Sequence, residues 1–358
     1  MKVIVGMSGG VDSALVAALL KQQGHDVVGV TLQLYDYATT LEETDPSKRH
    51  CHPLAFIDAA KQVAADLGIE HHVLHHQHIF QSQIIDPFME SYKQGKTPLP
   101  CAKCNRDVKT AALYTVMQDM GADVLATGHY VRRIEVDGHV HIHQGQDPLR
   151  DQSFFLFALG AHYFDKMLFP LGHYSKSETR AKAQDLGLIV AGTPASQDLC
   201  FISKKSYKTL FQDQPGDIVH KDDGRILGQH RGVTHFTIGQ RQGLGIGGQS
   251  ESLHVLDLDV ENHRVIVGPR HHLARSDIDL QDVNWIAHDL QGHADLDQKH
   301  AVCVKIRSSG RAVPATLHMY SGLRAAQVHL ENPDYAIAPG QACVFYQGSR
   351  LLGGGWIA

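Results

Sequence analysis

Ser8-Gly9-Gly10-Val11-Asp12-Ser13 is the stretch on which the reading of this chain turns. It follows Val3-Ile4-Val5-Gly6, which reads as a buried strand. It opens a helix from Asp12 to about Gln22 that is rich in Ala, Leu and Val and stops at Gly24. Glycines at such a junction let the backbone approach an anion, and the free amides of the helix start point at it. Ser8 and Ser13 add hydroxyl donors. Asp12 cannot bind a phosphate directly; it would hold a magnesium ion or cap the helix. The plain alternative is a Gly-rich strand-to-helix turn with an Asp cap. No Gly-x-x-x-x-Gly-Lys-Ser/Thr occurs, so this is not a loop of the kinase or GTPase kind.

Outward from the loop, strand and helix alternate. Val27 to Leu34 reads as a strand, Ala55 to Leu67 as a helix and His72 to Leu74 as a short strand. Val108 to Met120 reads as a helix and Val124 to Thr127 as a strand. This alternation predicts a parallel sheet covered on both faces, with ligands at the carboxyl ends of its strands. Asp137-Gly138 predicts a hairpin, and Ser175-Lys176-Ser177-Glu178 a capping box that opens a helix to about Leu186. From about residue 205, Gly-rich turns and short alternating strands take over, at Gly232 to Gly247, Leu253 to Leu258 and His263 to Val267. The same texture continues at Val302 to Ile306, Gln327 to Leu330 and Ala342 to Tyr346. The expected organisation is a catalytic α/β domain over 1–204, a small central β-rich domain over 205–274 and a C-terminal β-barrel domain over 275–358.

A chain of 358 residues is too long for one core, which agrees with that division. The composition, 43% hydrophobic and 20% charged, is that of a soluble globular protein. Met1 to Val5 is too short an apolar run for a signal peptide or an anchor, so a cytoplasmic protein with no membrane partner is expected. The net charge of −5 runs against a broad basic surface for nucleic acid. Locally, however, Lys93, Lys96, Lys103, Arg106 and Lys109 cluster around Cys101 and Cys104. Those two belong to Pro100-Cys101-Ala102-Lys103-Cys104-Asn105-Arg106, a Cys-x-x-Cys placed just before the expected helix. A helix N-terminus and nearby Lys and Arg lower a thiol pKa from its free value of about 8.5. Half of a zinc site is the other reading, but no second Cys-x-x-Cys supplies the remaining ligands. Cys200 by itself reads as a buried structural thiol, Cys51 as a loop cysteine, and Cys303 and Cys343 as core. The 26 histidines are scattered, and His139, His141 and His143 read as surface.

Ser-Gly-Gly-x-Asp-Ser resembles the pyrophosphate loop of the N-type ATP pyrophosphatases, which cleave ATP between the α and β phosphates. The matching domain is the adenine nucleotide alpha hydrolase-like, or PP-loop, domain. Further strings follow in order: Pro100 through Lys109, Ala126-Thr127-Gly128-His129-Tyr130 and Asp151 to Leu156. Then come Ser196 to Ile202, Thr237 to Gly245, Pro339-Gly340-Gln341 and Gly353-Gly354-Gly355. With these the chain resembles the bacterial tRNA-specific 2-thiouridylases over essentially its full length. It departs from their usual pattern at Gln33-Leu34, Thr110, Ala195 and Ser308-Ser309.

That resemblance implies an enzyme that adenylates the C2 oxygen of the anticodon wobble uridine and replaces it with sulfur. ATP with Mg2+ would be held by Gly6, Met7, Ser8, Gly9, Gly10, Val11, Asp12 and Ser13, with Leu32 and Gly128 lining the adenine pocket. Cys200 would carry a persulfide and Cys104 would be its partner, the two ending as a disulfide. Leu99, Pro100, Cys101, His129, Arg150, Asp151, Gln152, Arg307, Ser308 and Gln341 would contact the tRNA. The partners implied are tRNA, not DNA, and an upstream persulfide sulfur donor. A [4Fe-4S] cluster on Cys101, Cys104 and Cys200 is the competing reading of the cysteines. Two rival functions stand beside this one. One is another PP-loop ligase or amidotransferase acting on a small molecule. The other is a tRNA- or iron–sulfur-binding module without turnover.

Overall fold

The apolar run after Met1 forms β1 (Lys2–Gly6), the middle strand of a five-stranded parallel sheet. The computed structural model describes residues 1–35, 53–193, 199–202, 207–248, 251–287, 299–320, 324–335 and 337–358. Cys51 and Ser196-Gln197-Asp198 lie outside them. The first sheet adds β2 (Asp26–Gln33), β3 (Glu70–His75), β4 (Val124–Ala126) and β7 (Met167–Leu168), in the order β3-β2-β1-β4-β7. Every pairing in it is parallel. The two faces of β1 explain its unbroken apolar sequence. Val3 and Val5 enter one core with the helices α1 (Val11–Gln22) and α2 (Pro53–Leu67), while Ile4 enters another on the opposite face. Short helices α3 (Gln77–Phe80) and α4 (Asp86–Lys93) follow β3, joined by a π-helical turn.

The helix expected from Val108 starts earlier. α5 (Pro100–Cys104) opens with Pro100, whose fixed φ and missing N–H suit a first turn. It continues through a π-helical turn, Asn105–Thr110, into α6 (Ala111–Asp119). The hairpin at Asp137-Gly138 forms between β5 (Val131–Val136) and β6 (His139–Gln144), with both turn residues at positive φ, 51° and 78°. α7 (Ala161–Phe164) precedes β7. The capping box at Ser175 and Glu178 is made in both directions at the start of α8 (Lys176–Asp185).

The central sheet holds β8 (Gly216–His220), β9 (Ile226–His230), β10 (Leu253–Asp259) and β11 (Arg264–Pro269) in the order β10-β11-β8-β9. Within Gly232 to Gly247 the Gly-rich turns form and no strand does. A 3-10 turn, Val233–His235, and a loop with Gly239, Gly243 and Gly245 at positive φ stand there instead, since glycines freed of a β geometry take the turn conformation. The last domain is a barrel. β12 (Arg275–Trp285), β15 (Ala325–Asp334), β14 (Val313–Met319), β13 (Lys299–Lys305), β16 (Ala342–Gln347) and β17 (Arg350–Ile357) pair antiparallel in that order, and β17 pairs back onto β12 to close it. The hairpin β5–β6 extends this sheet through β6 beside β17, so a piece of the first 204 residues lies on the barrel. Cys343 is core as expected, and Cys303 is half-buried.

The barrel is tied to the first domain by buried polar contacts. Lys305 Nζ donates to Asp151 Oδ2 at 3.0 Å, and that carboxylate also accepts from the Ser153 amide and hydroxyl, the Gly145 amide and the Gln144 amide group. Asn284 Nδ2 donates to the carbonyls of Phe157 and Leu159, each at 2.7 Å. Asp282 accepts from Arg106 and Arg324, each at 2.8 Å. Among the described residues no helix is long and apolar enough to cross a membrane.

Candidate active site

The strands β2, β1 and β4 lie side by side and end at Gln33, Gly6 and Ala126, so the residues that follow them gather on one edge. Gly6, Met7 and the loop Ser8–Gly10 leave β1, Leu32 sits near the end of β2, and Gly128 lies just past β4. Met7 and Val11 are buried side chains, so only their backbone faces the loop's hollow. Gly9 takes φ +77. Gly10 is the N-cap of α1 and no side chain caps that helix, which leaves the amides from Gly10 to Ser13 without partners among the described residues. The Ser13 hydroxyl accepts from the Ser8 amide at 3.1 Å and donates to the Gly10 carbonyl at 3.2 Å, and so shapes the loop from inside. Ser8 is exposed, and its hydroxyl lies 3.3 Å from that of Ser13. A Cβ at Gly128 would stand 3.2 Å from Asp12 and Ser13, so the β4 end can close on the loop only as glycine. These features fit a polyphosphate: free amides at a helix start, glycines where the backbone comes close, and an exposed serine.

Asp12 does not cap the helix. Its carboxylate receives Lys176 Nζ at 2.6 and 2.7 Å and the Tyr130 hydroxyl at 2.7 Å. With that proton spent on Asp12, Tyr130 Oη accepts from the Thr179 hydroxyl, 3.0 Å away. Thus α8 lays a lysine and a threonine against the loop. Sequence reading had placed the helix by its capping box without seeing that Lys176, its first residue, reaches Asp12 on a distant helix.

Cys104 and Cys200 are brought together. Phe201 packs in the aromatic cluster of Phe80 and Phe88, with ring centroids 5.7 and 5.2 Å away, and into the small core that holds Cys104 with Phe80, Ile84 and Val108. Cys200 is exposed and Cys104 buried. Sequence reading placed Cys104 at a helix N-terminus and expected a favoured thiolate. The helix in fact starts at Pro100, which puts Cys101 in its first turn and Cys104 at its end. Burial pushes the Cys104 thiol up to about 12, against the pull of Lys109. Cys101 is exposed at the same surface. No three His, Cys, Asp or Glu side chains among the described residues group as a metal-binding set. Cys101, Cys104 and Cys200 are thus not grouped as a three-ligand set in this structure.

His129 joins the two halves of the site. It follows Gly128, its Nδ1 shares a 2.9 Å hydrogen bond with Thr127 Oγ1, and burial together with the Lys109 charge holds its imidazole down at about 4. A folded-state pKa below the ordinary 6.5 means that the neutral ring stabilises the fold above about pH 6.5 and that this contribution is lost as pH falls towards 4. The melting temperature is accordingly expected to drop between pH 7 and 4.5. His129→Gln should drop less steeply than wild type; an equal slope would remove His129 as a contributor.

The other residues expected at tRNA divide into two kinds. Arg150 and Ser308 are exposed, and half-exposed Arg307 meets Asp334 only at 3.5 Å. Asp151, with 3% of its side chain exposed, is enclosed by its partners. Gln152 Oε1 accepts from the Tyr130 amide, and Gln341 Nε2 donates to the carbonyls of Thr97 at 2.9 Å and Pro98 at 3.3 Å. Gln341 therefore holds the segment leading to Leu99, the N-cap of α5, and buried Pro100. The basic cluster is also broken up. Arg106 pairs with Asp107 and Asp282, Lys103 lies over the Trp356 ring, and Lys109 points to the cysteines.

Comparison with known proteins agrees with this arrangement. Residues 1–204 match the family model described as tRNA methyl transferase HUP domain. Residues 204–269 match the tRNA methyl transferase PRC-barrel domain, and residues 275–357 the aminomethyltransferase beta-barrel domain. The chain is 47% identical to the tRNA-specific 2-thiouridylase MnmA of Rhodospirillum centenum, over 99% of this chain and 91% of that one. It is 47% identical to the protein of the same name from Paramagnetospirillum magneticum, over 99% and 95%. With the one from Paracoccus denitrificans it shares 43%, over 100% and 91%. With a loop built for a polyphosphate, two converging cysteines and relatives matched end to end, the chain belongs to the tRNA-specific 2-thiouridylase family.

Proposed function

We propose that this protein is a cytoplasmic, ATP-dependent tRNA sulfurtransferase that converts the anticodon wobble uridine to 2-thiouridine. The observation that carries the reading is that buried Cys104 and exposed Cys200, remote in sequence, both come near Lys109, which also bears on His129 beside the Gly128 edge of the Ser8–Ser13 loop. A uracil C2 carbonyl is a poor electrophile with a poor leaving oxygen. Transfer of AMP to that oxygen cures both defects. The amides of Gly10 to Ser13 hold the phosphates and orient the α-phosphate for attack. Bound magnesium supplies charge neutralisation on the departing pyrophosphate; Asp12 would exchange Lys176 to reach it.

Sulfur arrives as a sulfane atom from a persulfide donor. Cys200, exposed, takes it and becomes a persulfide while the donor keeps a thiol. The Cys104 thiolate attacks Sγ of Cys200, a disulfide forms, and hydrosulfide leaves. Hydrosulfide attacks C2 and AMP departs with the former C2 oxygen. An external dithiol then reduces the Cys104–Cys200 disulfide. Arg150, Arg307 and Ser308 are free to contact the tRNA backbone, while Gln341, Asp151 and Gln152 position the strands around the base.

The test is reconstitution. Purified protein, ATP, unmodified tRNA and a persulfide donor are combined, and the nucleosides are separated by mass. One 2-thiouridine, one AMP and one pyrophosphate per turnover are expected. ATP cleavage that yields an amidated small molecule and no thionucleoside would sink the proposal in favour of another PP-loop ligase.

A further inference from the structure

Lys109 is the basic side chain of this site whose partners are all sulfur or imidazole. It stands five residues after Cys104, on the π-helical turn Asn105–Thr110. In an α-helix, at about 3.6 residues per turn, side chains five apart point to different sides. A π turn closes its hydrogen bonds five residues apart, which brings such side chains over one another. The π turn is thus what aims Lys109 at the cysteines. Several other basic groups around the site are met by acids or rings. Lys176 meets Asp12, Lys305 meets Asp151, Arg106 meets Asp107 and Asp282, and Lys103 lies over Trp356. Asp107, which also faces Cys104, is held by Arg106. Lys109 makes no ion pair with a carboxylate among the described residues. Its charge bears instead on Cys104, Cys200 and Cys101, and on His129. A cation drawn in from water without a resident anion is unfavourable unless an anion comes to it.

We propose that Lys109 forms a binding site for a sulfur anion, first the terminal sulfur of the Cys200 persulfide and then the hydrosulfide released when Cys104 attacks. This rests on the sulfur route proposed above. Held between the cysteines and His129, the hydrosulfide stays at the site until it meets the activated base and is not lost to solvent. Burial works to lower the Lys109 pKa, and the pull of Cys104, Cys200 and Cys101, felt when one of them ionises, outweighs it, so the net direction is up.

The experiment compares alkylation of Cys200 by anionic iodoacetate and neutral iodoacetamide at low ionic strength, resolved by peptide mass, and needs neither ATP nor tRNA. In wild type the iodoacetate-to-iodoacetamide rate ratio should exceed that of free cysteine by roughly threefold or more, because a local positive potential concentrates the anion. Lys109→Met and Lys109→Gln should return it to the free-cysteine value, and Lys109→Arg should restore it. A wild-type ratio equal to that of free cysteine overturns the proposal whether or not the variants fold; so does a Lys109→Met ratio equal to wild type. A second readout follows the sulfur. With persulfide-loaded protein, Lys109→Met should release more of it as free sulfide and less as thionucleoside than wild type, and an unchanged partition counts against the site. Failure of the reconstitution with a raised wild-type ratio would instead strike at the sulfur route and leave the anion site standing.

Discussion

Cys200→Ser and Cys104→Ser are each expected to lower tRNA thiolation by on the order of 10³-fold or more, the scale on which loss of a covalent nucleophile acts. The two should fail at different steps. Cys200 is exposed and reachable by a donor, so Cys200→Ser should gain no extra sulfur by intact mass. Cys104 is buried against Ile84 and Val108, so Cys104→Ser should load sulfur on Cys200 normally and then hold it. Its thiol, pushed up to about 12 by burial, reacts only through the small thiolate fraction that Lys109 favours. Transfer should therefore speed up as pH rises through the neutral range, because the reactive form gains population. Cys101→Ser should keep most of the activity, since the route uses only the other two thiols. Loss of activity in Cys101→Ser together with bound iron in the wild type would replace this route by cluster chemistry.

Gly9→Ala is the second substitution with a large expected effect, and it should act on ATP alone. Gly9 holds φ +77, where a side chain is strained, and its Cβ would run into the backbone carbonyl of Phe56 at the start of α2. The loop or the helix must move, and a shift of about 1 Å in a group that orients a substrate costs on the order of 10²-fold in rate. Gly10 is different. It has φ −92, and a Cβ there would meet nothing nearer than the Ser8 hydroxyl at 3.6 Å. Pyrophosphate exchange into ATP, measured with tRNA present, should thus fall about 10²-fold in Gly9→Ala and stay near wild type in Gly10→Ala. Equal sensitivity of the two glycines would mean that the amides, and not the loop's shape, limit the step. Wild-type exchange by Gly9→Ala would remove the loop from the reaction.

Much of the molecule is written locally. The alternation of apolar runs and helical spacing marks β1, α1, β2, α2, β3 and β4 to within a few residues, because each buries its own face. Asp137-Gly138 and Ser175-Glu178 do what their side chains dictate wherever they stand. The structure departs from the local reading where a preference is weak or overruled, as at the helix expected from Val108, which starts at Pro100. The glycines at 239, 243 and 245 allow either a strand or a turn, and packing of the central sheet took the turn. Gly353-Gly354-Gly355 lies in β17, where side chains would collide with Asn284, Phe157 and Val283 at the closure of the barrel.

By itself, then, the sequence determined the three-part architecture, the loop at Ser8–Ser13, and which cysteines belong to an ordered family pattern. These depend on residue type and short spacing. Only the tertiary structure decided which partner each charge finds. Asp12 meets Lys176 and not the helix end, Asp151 meets Lys305 of the barrel, and Gln341 braces Thr97 and Pro98. It also set the state of Cys104, whose burial outweighs the basic neighbours that its sequence advertises, and it turned Lys109 inward on a π turn that no residue spacing announces. The physical reason is range. Backbone propensity acts over a few residues, whereas the free energy of a charge depends on everything that excludes water around it, and that is assembled from segments far apart in the chain.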